Sequence, residues 1–112
     1  MEREPRRFRR LGRSEIGGLR VPVASGFPAR LLGLALLGRD RAGPGLLIPR
    51  CRCVHTIGMR FPLDVVFLDD AGREVRRIQG VRPCRAVFEA AAAAVLELPA
   101  TATASDVGEA DP

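Results

Sequence analysis

Two cysteines and the only histidine stand at alternate positions in "CRCVHTIGMRFPLDVVFLDD", residues 51–70, and Asp64 follows within an apolar run. Cysteine, histidine and aspartate are the residue types of zinc sites and of nucleophile, base and orienter groups. Cys51, Cys53 and His55, with Cys84 as a fourth, are ligand types, but their spacing argues against a metal. Residues two apart on an extended strand share a face about 6.6 Å apart, whereas thiolates at ~2.3 Å from one zinc stand within about 4 Å of each other. The C-x-x-C pattern is absent. The cysteines are therefore expected to act as small hydrophobes with no metal or other cofactor.

Catalysis would need a thiol, or the Thr56 hydroxyl, activated by His55 with Asp64 orienting the ring. No nucleophile-elbow glycine pattern flanks any of these residues. Asp64 shares a strand face with Val66 and Leu68, while Leu63, Val65 and Phe67 line the other, so its carboxylate is expected to be half-buried. Such a group needs a partner. Candidates are Arg50, Arg52, Arg60, His55 and the amides of the preceding turn. "GRDRAGPG", residues 38–45, lacks the Lys-Ser/Thr of a phosphate loop and follows a helical pattern rather than preceding one. The expected site is a binding surface around His55, Thr56, Arg60 and Asp64, with no catalytic residue assigned. The alternative is a hydrolase-like or thiol-dependent enzyme using Cys, His and Asp of residues 51–64.

The elements that would position these side chains are short. "LRVPVA", from Leu19, reads as a strand whose Pro22 favours an edge. Ser25 can cap a helix over "FPARLLGLALLGR", where Leu31, Leu32, Ala35 and Leu36 recur at helical spacing. "LLIP" reads as a buried strand after the Gly-Pro-Gly loop. "PLDVVFLDDAGREVRRIQGV" has the pattern of a hairpin with Gly72 in the left-handed position of a type I turn with a bulge. "FEAAAAAVLELP" is ambiguous: five alanines favour helix, and "AVLELP" alternates like a strand.

The 112 residues have room for one core. A 46% hydrophobic and 28% charged composition is that of a globular domain. The net charge is +5, and every one of the 18 basic residues is arginine. Total replacement of lysine beside abundant Ala, Gly and Pro reads as coding bias, which argues against nucleic-acid binding as the meaning of the charge. Residues 1–18, crowded with arginine, are expected to be a flexible basic arm, and residues 101–112, with Asp106, Glu109 and Asp111, a polar acidic tail. The apolar run "LLGLALLG" is far shorter than the ~20 residues of a spanning helix. No apolar stretch follows the N-terminal charges as in a secretory signal, and three cysteines are an odd number. Reduced thiols in a cytoplasmic protein are the expectation.

"RLLGLALLGRDRAGPGLLIPRCRCVHTIGMRFPLDVVFLDDAGREV" followed by "AVLELPA" resembles the prokaryotic domain of unknown function 192 family, over about residues 19–100. The resemblance rests on four blocks in order: the segment ending "LLGR", the "GLLI" strand, the core from His55 to Asp69 with its glycine turn, and the closing "VLELPA". It implies a single, compact, mostly antiparallel β domain, a jelly-roll-like sandwich or barrel with one short helix, and makes residues 93–98 a strand. It brings no established activity, which leaves a ligand- or partner-binding module as the expected function. Members typically follow the "LELPA" block with a Gly and a further Gly-Asp strand, and this chain departs from the pattern there.

Overall fold

A computed structural model describes residues 8, 11–26, 33–35, 37–38 and 43–100. Among these, eight strands form three antiparallel sheets: β1 (Arg13–Ile16), β2 (Leu19–Pro22), β3 (Leu46–Pro49), β4 (Cys53–His55), β5 (Leu63–Leu68), β6 (Glu74–Val81), β7 (Ala86–Phe88) and β8 (Ala94–Pro99). The largest sheet has the order β3-β8-β5-β6, with β1-β2 and β4-β7 as separate pairs. The expected antiparallel β class holds. The four-stranded order ends at β3 and β6, so the sheets form no closed barrel among the described residues.

β5 sits between β8 and β6, and all six of its residues are buried. Leu63, Val65 and Phe67 enter one apolar cluster with Val54, Met59, Phe61, Leu34 and Leu37. Val66 and Leu68 enter a second with Val21, Leu47 and Leu96. Alternation thus sends side chains into two different cores, one over each face. Burying each such Val, Leu or Phe stabilises by about 1.5–3 kcal/mol. The second face is covered by the β1-β2 hairpin, whose Val21 is fully buried.

The hairpin corrects the expectation that residues 1–18 are all arm. Gly17 and Gly18 have φ of 56° and 86°, both left-handed, as the two central residues of a type I′ turn require. Arg13 pairs with Pro22 and Ile16 with Leu19 across it. Phe8, 1% exposed, belongs to the first core. The remainder of the expected arm, residues 1–7 and 9–10, and the tail, 101–112, lie outside the described residues.

Of the segment expected to be helical, residues 33–35 form a turn instead, and most of the rest lies outside the described residues. Gly33 has φ 54°, a value that no right-handed helix passes through. A β-carbon there would stand 2.7 Å from Oε1 of Glu97 on β8. The chain turns where it crosses close over the sheet, and tertiary approach overrides helical spacing.

The β5-β6 hairpin is as the sequence predicts. Gly72 has φ 82°, and the Asp69 carboxylate accepts from the amides of Ala71 (2.9 Å) and Arg73 (2.8 Å). The ambiguous C-terminal segment is strand, with Val95, Leu96 and Glu97 paired to both β3 and β5. Burial on two partners outweighs the helix propensity of its alanines.

Because Phe8 fills the first core, Phe8→Ala is expected to destabilise the domain by about 3–5 kcal/mol. Urea denaturation of the full chain checks this, and deletion of residues 1–18 is expected to lower the melting temperature by several degrees. An unchanged midpoint in both variants would return residues 1–18 to the status of an appendage.

Candidate functional site

β4 pairs with β7 in the register Cys53↔Phe88, Val54↔Val87 and His55↔Ala86. Val54 and Val87 turn inward to the first core, so Cys53, His55, Ala86 and Phe88 share the outward face and are exposed. His55 Nδ1 accepts from the amide of Ile57 at 3.2 Å. A neutral ring that accepts at Nδ1 carries its proton on Nε2. Nδ1 of this exposed ring is therefore engaged by the backbone.

Thr56, fully buried, clamps the loop from Arg82 to Arg85. Its hydroxyl donates to the Arg82 carbonyl at 2.6 Å and accepts from the Arg85 amide at 2.7 Å. Its own amide donates to the Arg85 carbonyl at 2.7 Å, and its carbonyl accepts from the amides of Cys84 and Met59, both at 3.1 Å. The loop needs such support because Cys84 has φ 64°, a left-handed value that costs a non-glycine residue about 1–2 kcal/mol. A hydroxyl closed to solvent and bonded on both sides is not a nucleophile.

Asp64 is 7% exposed, more deeply buried than the half-burial expected of it. Its Oδ1 accepts from the Gly80 amide at 2.9 Å. None of the arginines considered from sequence is that partner. Between the pairs Leu63↔Val81 and Val65↔Ile78, β6 has one residue more than β5, and Gly80 at φ 65° takes the strain of the bulge. The carboxylate satisfies an amide that the bulge takes out of the ladder. Its field also acts on Arg77, whose pKa is raised first by the hydrogen bond with Glu74 and further by Asp64.

Thr56 and Asp64 thus fix the two ends of one backbone stretch, residues 80–85, and His55 pairs with the residue after it. Gly80, Val81, Arg82 and Arg85 of this stretch line a cleft of about 210 Å³ together with Ile78, Gln79, Ala86 and Val87. Arg60, exposed, stands in the turn that leaves β4. The structure brings three of the four expected residues to one segment, two as supports and one at its surface. Sequence reading missed Arg82, Arg85 and Phe88. The signal was present: "RPC" marks a tight turn, and Phe88 alternates with Val87 in a short strand.

The thiols do not gather. Cys51 donates to the Cys53 carbonyl at 3.2 Å, and no group of three or more His, Cys, Asp or Glu that could hold a metal ion occurs among the described residues. Cys51 lines a second, open cleft of about 510 Å³ with Arg50, Arg52, Ala92 and Ala93. Glu97, 3% exposed, is a further buried carboxylate. It shares a strand face with Val95 in "AVLELP", which made it as legible as Asp64.

Two variants test the supports. Thr56→Val, which leaves the Arg85 amide without the hydroxyl, and Asp64→Ala, which leaves the Gly80 amide unpaired, are each expected to cost about 1–3 kcal/mol. The urea midpoint checks the cost. Amide exchange should speed at Arg85 in the first variant and at Gly80 in the second, and unaltered exchange would remove the assigned roles.

Two solved structures share the fold. A protein of unknown function from Novosphingobium aromaticivorans is 17% identical with a TM-score of 0.58, over 80% of this chain and 81% of that one. A protein from Sinorhizobium meliloti described as a "putative transcription regulator" is 22% identical with a TM-score of 0.61, over 79% of this chain and 78% of that one. The comparison with curated proteins finds no match. No helix among the described residues is long and apolar enough to cross a membrane. The family model described as DUF192, "Uncharacterized ACR", matches residues 11–109, which take in all eight strands just described, and the chain belongs to that family.

Proposed function

We propose that the chain is a binding module without chemistry of its own, whose contact surface is the outer face of β4-β7 together with the adjoining cleft. The observation that carries this reading is how the reactive groups are employed. Thr56 and Asp64 hold backbone, and the His55 nitrogen that could take a proton accepts from Ile57 instead. His55 remains as a surface donor, and Arg60 extends the surface along the turn after β4. What is left facing outward is apolar and cationic: Phe88 is 58% and Ile57 62% exposed, two of the four large hydrophobics exposed among the described residues. An apolar cleft with convergent polar groups is the usual form of a ligand site. Arg85 gives this one a preference for anions.

Benzoate, an apolar ring with a carboxylate, is a suitable probe. Titrated at millimolar concentration into the ¹⁵N-labelled chain, it is expected to move amide signals of residues 53–57 and 78–88, and benzyl alcohol to move them less. Arg85→Ala should weaken the benzoate response severalfold. Shifts confined to other parts of the sheet would place the surface elsewhere. A p-nitrophenyl acetate hydrolysis rate above background that His55→Ala abolishes would overturn the non-enzymatic reading.

A further inference from the structure

We infer that the occupant of the β4-β7 face is a single-stranded nucleic acid, whose bases stack on Phe88 and His55 and whose phosphates meet Arg52, Arg76 and Arg85; this inference rests on the binding-module reading above. The register makes Phe88 and His55 diagonal neighbours on one face, because Phe88 lies opposite Cys53 and His55 opposite Ala86. Such diagonal positions are about 7–8 Å apart. Two flat rings at this separation fit bases splayed out of a strand, the form in which proteins usually stack them. The residues between, Cys53 and Ala86, are small and leave both rings accessible.

Cations flank this pair: Arg76 on β6, and Arg52 and Arg85 at the positions just before β4 and β7 begin. Arg76 Nη1 lies 3.4 Å from the Phe88 carbonyl and 3.6 Å from Glu89 Oε1, so it stands at the Phe88 end and shares its charge with that carboxylate. Arg52 reaches the same end: its carbonyl accepts from the Glu89 amide at 2.9 Å, and its Nε donates to the Ala92 carbonyl at 3.2 Å. Its terminal nitrogens are left for a phosphate. Arg85 stands at the other end, where it lines the adjoining cleft with Ala86 and Val87 and has its backbone fixed by Thr56. Three guanidinium groups against one carboxylate leave the rim positive. The arginine composition reads as coding bias in the sequence, but bias does not place Phe and His between the arginines on an outward face. An acidic peptide would satisfy the guanidinium groups and leave the exposed rings without a function. A duplex hides the base faces that the rings would meet.

The test is fluorescence anisotropy of labelled r(U)12 and d(T)12 with the full chain, over salt from about 50 to 300 mM. Saturable binding to one or both is expected, and comparison of the two separates RNA from DNA. Three phosphate contacts predict a log-log salt slope near −2, at about −0.7 per contact on a single strand. Phe88→Ala and His55→Ala, both at exposed positions, should each weaken binding about tenfold at fixed salt, consistent with the usual worth of a stacked base. Arg85→Ala should flatten the slope by about 0.7. Affinity unchanged in both ring variants would overturn the inference and assign the binding to charge alone, as from the arginines of residues 1–10. Absence of oligonucleotide binding would overturn it as well. If benzoate or polyaspartate still moves the amides of 53–57 and 78–88 in that case, the module stands with a different occupant. If neither does, the reading beneath it falls too.

Discussion

A strand buried on both faces constrains everything around it. β5 sends alternate side chains into two cores, and any polar residue in it must therefore be satisfied inside the protein. Asp64 is that residue. Its carboxylate is held by one amide of the neighbouring strand, and that amide points at it only because β6 bulges at Gly80. A left-handed φ of 65° is easy for glycine and costly for other residues. The buried charge, the bulge and the glycine are thus one device. The bulge redirects β6 as it passes into the Arg82–Arg85 loop, and the cleft wall begins there.

The loop needs a second device of the same kind. Cys84 is not a glycine, so its left-handed backbone is maintained by surrounding bonds rather than by its own preference. Thr56 provides these from the end of β4, with both its hydroxyl and its peptide group. A threonine suits this place because its hydroxyl donates and accepts at once, and its methyl group can be buried. The "HT" pair therefore divides its labour across the sheet: one side chain goes outward to solvent, and the next goes inward to hold the loop.

Much of this architecture was legible. The hairpin around Gly72 follows from turn chemistry, the "LLIP" strand from its run of apolar residues, and the C-terminal strand from the family resemblance where alanine content pointed the other way. Errors arose where the deciding contact is distant in sequence. Gly33 sits in an apolar run with helical spacing, and the turn there reflects Glu97, more than sixty positions away. Residues 13–16 looked like the end of a charged arm, although "GG" between two alternating tetrapeptides is a hairpin signal in its own right. Asp64 reads as half-buried and in need of a partner, and the structure buries it more deeply. Its partner could not be read, because an amide exposed by a bulge leaves no side-chain mark in the sequence beyond one glycine.

The same logic underlies the reading proposed for the two functional classes that the sequence left open. Catalysis by Cys, His and Asp needs a proton path, in which a base with a free nitrogen faces a nucleophile that can lose its proton. In this chain the chemically suggestive residues are connected to the backbone instead of to one another: Cys51 to the Cys53 carbonyl, His55 to the Ile57 amide, Thr56 to the 82–85 loop, Asp64 to Gly80. Each bond fixes the shape of a surface whose outward groups are rings, small side chains and guanidinium groups. Surfaces of that composition recognise ligands by stacking and charge, and they depend on rigidity, because every degree of freedom frozen beforehand is one that binding need not freeze. The density of side-chain-to-backbone bonds behind β4-β7 is thus what supports the proposed reading as a rigid recognition surface, whereas a catalytic site would require some of the same groups to remain uncommitted.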